Sequence, residues 1–142
     1  MATYAKYDLF VENVANKQID IFGSTDTFRV VIHTDAPAST TDNSVSDLTQ
    51  ISGNNGYTTG GENITFNSTR SGGTITATAV DVVWTAVTGN LGSSTTGQYF
   101  SVYDDTSTGD YLMCSFNYGS TFTVAVGESM TFDVGASLWT FG

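Results

Sequence analysis

The stretch from Tyr103 to Tyr118, YDDTSTGDYLMCSFNY, sets carboxylates, hydroxyls and a glycine at alternating positions in its first half. Asp104, Thr106, Thr108 and Gly109 occupy the first, third, fifth and sixth places of a calcium-binding loop, two of them with hydroxyls. The twelfth place is Ser115, where such a loop needs a bidentate Glu, and β-type runs rather than helices flank the segment. The spacing therefore predicts a hairpin turn, with Asp104 or Asp105 accepting backbone hydrogen bonds and Gly109 supplying the left-handed position.

Other chemistry is thinly provided. His33 is the single histidine, in mid-strand and four residues from Arg29. Composition allows a Ser-His-Asp arrangement, yet no Gly-x-Ser-x-Gly elbow presents a nucleophile, so His33 is expected to be a strand residue at the surface or at an interface. A zinc site needs two or more His or Cys, and the chain has one of each. Cys114 lies in an apolar alternating run, where it reads as a small buried hydrophobe. Fourteen acids offer many carboxylate pairs, but a glycosidase needs a walled cleft and the turns here are short. Gly60-Gly61 and Gly72-Gly73 are followed by no lysine and open no helix, unlike a phosphate cradle. Trp84, Tyr99, Tyr103, Tyr111, Tyr118 and Trp139 offer a sugar-stacking platform or, in alternating strands, ordinary packing. No enzyme, metal or cofactor is expected.

These residues must be held by a chain of 142 residues, one domain's worth, with a single Pro and much Gly, Ser and Thr. Its formal net charge of −10 repels phosphate backbones, so nucleic acid is not an expected partner. No apolar run is long enough to span a membrane and no secretion signal opens the chain, so a soluble product of the cytoplasm is expected. Between Tyr4 and Gln18 the residues Tyr7, Phe10, Val11 and Val14 recur at helical spacing, predicting one amphipathic helix in an N-terminal arm, residues 1–22. That stripe either packs on the chain's own sheet or docks on a neighbour.

After a Gly23-Ser24 break, Asp26–Thr34 alternates as a half-buried strand, with Phe28, Val30 and Ile32 on one face and Arg29, Val31 and His33 on the other. The polar segment Asp35–Thr49 is a loop in which Val45, Leu48 and Ile51 make a helical turn or two. Gly53–Gly61 is a structured turn with positive φ angles. Strands follow at Asn63–Thr69, at Thr74–Val87 (one bent strand, or two joined at Asp81), and at Gln98–Asp105, Tyr111–Gly119, Thr121–Val126, Met130–Val134 and Leu138–Phe141. The turns between the later ones are TSTG, YGS, VGES and VGAS. Residues 23–142 thus read as one all-β domain, an antiparallel β-sandwich or partly open barrel with one N-terminal α-helix.

The order of three segments, TFRVVIHTDAPA, ISGNNGYTTGGENIT and QYFSVYDDTSTGDYLMCSFNYGSTFTVAVGESMTFDV, resembles a group of small virion proteins of tailed bacteriophages. The matching turns are Thr34–Pro37, Gly53–Gly61, Val102–Thr108, Asn117–Ser120 and Gly127–Asp133, and the opening KYDLFVENVANKQ is similar too. Asn117 stands where the group usually has Asp, and Asn55 lengthens the glycine turn. The resemblance implies a capsid decoration or cement protein at the virion capsid surface, made in the host cytoplasm. Its expected partners are the major capsid protein and its own copies as a homotrimer, and Tyr7, Phe10, Val11 and Val14 are candidates for the interface. A neck or tail position and a carbohydrate-binding β-sandwich module are the alternatives.

Overall fold

The structure is a computed structural model describing residues 3–23, 25–93, 96–135 and 137–141. Ser24 of the expected break and Ala136 of the VGAS turn lie outside the described residues. The elements are β1 (Thr3–Lys6), α1 (Leu9–Ala15), β2 (Phe28–His33), β3 (Glu62–Ile64), β4 (Phe66–Ser71), β5 (Thr74–Ala79), β6 (Val82–Thr85), β7 (Gly97–Asp104), β8 (Leu112–Phe122), β9 (Ser129–Phe132) and β10 (Trp139–Phe141). They form a five-stranded sheet ordered β1-β8-β7-β2-β3, a three-stranded sheet β10-β5-β4 and a two-stranded sheet β6-β9. Every pairing is antiparallel, and no sheet among the described residues closes into a barrel.

Alternation in β2 sends Phe28, Val30 and Ile32 into the main core. There they join Phe100 and Val102 of β7, Trp84 of β6, Phe132 of β9, and Ala77 and Trp139 of the three-stranded sheet. The opposite face was expected to be half exposed and is not. Val31 is buried with Tyr7, Val45, Leu48, Tyr103 and Leu112 in a second cluster, and His33 is fully buried. The segment after β2 provides the cover: a 3-10 turn at Val45–Asp47 lays Val45 and Leu48 on this face. The segment is tied down where Asp35 Oδ1 accepts from Thr49 N–H (2.8 Å) and Asp42 Oδ2 from Ala38 N–H (2.7 Å). β2 is therefore a central strand buried on both faces, each of its core aliphatics contributing roughly 1.5–3 kcal/mol.

The N-terminal helix is shorter than its apolar spacing predicts. Thr3–Lys6 instead pairs with β8, Thr3 opposite Asn117 and Lys6 opposite Cys114, because an open strand edge satisfies backbone groups that a marginal helix end leaves to water. Helix α1 closes on a 6→1 bond from Gln18 N–H to Asn13 O (2.8 Å) and a bond from Lys17 N–H to Val14 O (3.1 Å). Lys17 holds the left-handed position with φ 59°.

The glycine turn behaves as expected. Gly61 has φ +73°, and a Cβ there would overlap the carbonyl oxygen of Val30. Of the two readings of Thr74–Val87, the structure takes the second: two strands that part at Val80-Asp81 and enter different sheets. One strand expectation changes, since Asn63–Thr69 divides between β3 and β4. The YGS segment does not end a strand: β8 continues to Phe122. The register moves from Tyr99 opposite Asn117 to Gly97 opposite Phe122, so the extra residues, with Gly119 at φ +99°, form a bulge.

Candidate docking surface

Helix α1 turns Phe10 and Val14 inward at i, i+4 spacing. Phe10 meets the rings of Trp139 and Phe141 at 5.5 and 6.4 Å. Val11, one residue on, is 49% exposed. The four residues expected at an interface thus separate: Tyr7 and Phe10 are core, Val14 is partly buried against it, and only Val11 is free. Alternation in β1 puts Tyr4 and Lys6 beside Val11 on one wall of a groove of about 350 Å³. Trp139, Thr140 and Phe141 of β10 form the other wall. Both β1 and β10 end their sheets, so each presents backbone groups on its outer side with no neighbouring strand. Past Phe141 a wider hollow of about 640 Å³ continues along Val14, Lys17, Ile19, Ile21 and Phe22. Lys6 and Lys17, two of the chain's four bases, line the two hollows. An extended apolar segment or a strand fits this groove chemically. Tyr4, Lys6, Phe22 and Phe141 were missed from sequence. The alternation of Tyr4 with Lys6 was a legible strand pattern, whereas their meeting with β10 is a long-range event.

The structure brings Ser101, His33 and Asp35 into the order of a catalytic triad. His33 Nε2 is 2.9 Å from Ser101 Oγ, and His33 Nδ1 is 3.0 Å from the carbonyl oxygen and 3.3 Å from Oδ1 of Asp35. Ser101 Oγ is also 2.9 Å from the Tyr7 hydroxyl. Burial holds His33 below its ordinary pKa despite Asp35, so the ring is neutral. One proton arrangement satisfies every group: Tyr7 O–H donates to Ser101, Ser101 O–H to Nε2, and Nδ1–H to Asp35. Ser101 and His33 are both fully buried and fully engaged, which makes this a polar pin between strands. The expectation that His33 lies at a surface is corrected, because the 35–49 segment covers it.

The loop after β7 is a hairpin turn. Asp104 Oδ1 accepts from the backbone N–H of Thr106 (2.9 Å) and of Ser107 (3.3 Å). The left-handed residue is Asp110, φ 46°, and not Gly109. Gly109 is required for space, since a Cβ there would overlap the Tyr111 ring. Asp105 pairs with Arg29 at 3.7 Å. No cluster of three or more His, Cys, Asp or Glu placed to hold a metal occurs among the described residues.

The aromatic residues do not gather on one open face: Trp84, Tyr103 and Trp139 are buried, while Tyr118 is exposed. Cys114 is buried as a small hydrophobe, and burial pushes its thiol pKa up. No helix among the described residues is long and apolar enough to cross a membrane. No protein-family model, no curated protein and no solved structure matches the chain.

Proposed function

We infer that this chain is a structural protein of a tailed-phage virion, decorating the assembled capsid and stabilising it by binding the major capsid protein lattice. The observation that carries this reading is the groove between the open edges of β1 and β10, with apolar Phe10 and Val11 beside it. A neighbouring subunit's strand or arm laid there would pair with backbone and bury Val11 and Tyr4. Such a protein performs no chemistry. It binds the assembled lattice and not free subunits, so it stabilises the shell by mass action, and repetition over the lattice makes a modest contact collectively large.

The test is co-sedimentation of the purified chain with capsids stripped of their decoration. Val11→Asp, a change at an exposed position, is expected to abolish occupancy, while Val83→Asp on the outer face of β6, 54% exposed, leaves it intact. Equal binding by both variants would remove the groove as the dock. Quantitative mass spectrometry of virions tests the role itself: a copy number comparable to the major capsid protein supports decoration, and on the order of ten copies per particle moves the chain to the neck or tail.

A further inference from the structure

The sequence holds a single Asn-Gly step, Asn55-Gly56, inside the glycine turn. Tyr57 N–H donates to Asn54 O at 3.0 Å, and between them Asn55 has φ 53° and Gly56 φ 103°. Two positive φ angles in a two-residue turn are the type I′ pattern, which asparagine followed by glycine adopts most readily. Glycine is needed at 56 for space as well, since a Cβ there would overlap the carbonyl oxygen of Thr85. The fold thus requires a dipeptide in which the second nitrogen carries no side chain to shield it from the preceding amide.

The Asn55 side chain is engaged by the segment after β6 rather than by its own backbone. Its Nδ2 donates to the carbonyl oxygen of Asn90 at 3.0 Å, and its Oδ1 accepts from the Thr88 hydroxyl at 2.7 Å. The backbones are joined at the same place, Val87 N–H to Asn55 O (3.1 Å) and Gly92 N–H to Asn54 O (3.2 Å). A Cβ at Gly89 would stand 2.8 Å from Nδ2, so the amide has little room to swing. Closing Cγ onto the Gly56 nitrogen takes the amide off both partners. The segment it holds carries Ala86 and Leu91 into the main core, so this one side chain links the glycine turn to the core.

We propose that Asn55 is a site of spontaneous covalent modification that the fold holds shut: its amide is converted through a succinimide to aspartate and isoaspartate when the segment after β6 lifts away. The Gly56 nitrogen forms a bond to Asn55 Cγ, the Cγ–Nδ2 bond breaks, and ammonia leaves with the proton of the Gly56 amide. Water then opens the imide at either carbonyl, giving aspartate, or isoaspartate in which the chain runs through the former side chain. Nothing is oxidised or reduced, and water is the only other reactant. Both products replace the donor to Asn90 O with a carboxylate that repels this carbonyl. Isoaspartate also adds a backbone methylene that a two-residue turn does not accommodate, so each reacted chain is left with its turn unlocked.

The experiment incubates the full chain at pH 8 and 37 °C, folded in buffer and unfolded in guanidinium chloride. Conversion at each asparagine is read by peptide mapping with mass spectrometry, isoaspartate being separated by chromatography. In denaturant Asn55 is expected to convert ahead of the other asparagines. In the fold it should convert more slowly by about tenfold or more, because reaction follows the population of the open form. Thr88→Val keeps the side-chain shape and removes the donor to Oδ1, so it should raise conversion at Asn55 several-fold in the folded chain, with folding checked by circular dichroism. Asn67, exposed in β4 and followed by serine, reports opening of the whole molecule and should not change. Asn55→Asp, which has the side chain of the aspartate product, should melt at a lower temperature than the parent. Equal rates in and out of the fold, no acceleration in Thr88→Val, or an equal rise at Asn67 overturns the lock. Slow conversion of Asn55 in denaturant overturns the site, and unchanged melting of Asn55→Asp overturns its consequence for the turn.

Discussion

Ser101 joins residues that lie 94 and 68 positions away in the chain, Tyr7 and His33. Replacing it with alanine strands a buried hydroxyl and a buried ring nitrogen, so Ser101→Ala is expected to lower unfolding stability by about 2–4 kcal/mol, read as a shift in urea midpoint. His33 and Asp104 then act oppositely with pH. His33 binds its proton less readily in the fold than its ordinary 6.5, so the unfolded chain takes up more protons as pH falls through that value and stability declines. Asp104, raised from 3.8 to about 6, binds more protons in the fold across that window. Its stabilising contribution is present at acid pH and lost as pH rises through 6. Asp104→Asn should therefore stabilise the protein at pH 7.5, the gain vanishing below pH 4. Urea titrations at the two pH values check both sign and window.

At the scale of elements, α1 is a seven-residue helix too short to stand alone, and its packing through Phe10 and Val14 sustains it. Its closing turn places Lys17 where glycine is preferred. Lys17→Gly should accordingly raise stability, by roughly 0.5–1 kcal/mol, seen as a higher thermal midpoint. The glycine turn is less forgiving. Gly61→Ala meets both a positive φ and the Val30 carbonyl, and a loss of about 2–4 kcal/mol is expected in the same melts.

For the whole molecule, the N-terminal segment and the β-domain share one interior: Phe10, Ile19 and Ile21 lie in the main core and Tyr7 in the second cluster. Burying these side chains contributes roughly 1.5–3 kcal/mol each, a sum comparable with the ~5–15 kcal/mol that holds a whole domain together. Deleting residues 1–22 should thus abolish cooperative unfolding rather than leave a folded domain of residues 23–142. A truncated chain that melts with a sharp transition would show the segment to be a dispensable arm.

What the sequence determined by itself was local. Two-residue alternation in FRVVIH, glycine at positions of positive φ in Gly53–Gly61, and carboxylates beside turn N–H groups at Asp104 all act within a few residues, and the all-β class follows from them. The tertiary structure decided which edges and faces found partners. β1 left a helical pattern because the edge of β8 was open. His33 became core because a polar loop folded over β2. The segment before β2 met the hairpin after β7 because Thr27 and Thr106 closed a contact spanning 79 residues. Periodicity records how one segment faces its own neighbours, while burial and charge pairing depend on segments that chain connectivity brings together only in the fold.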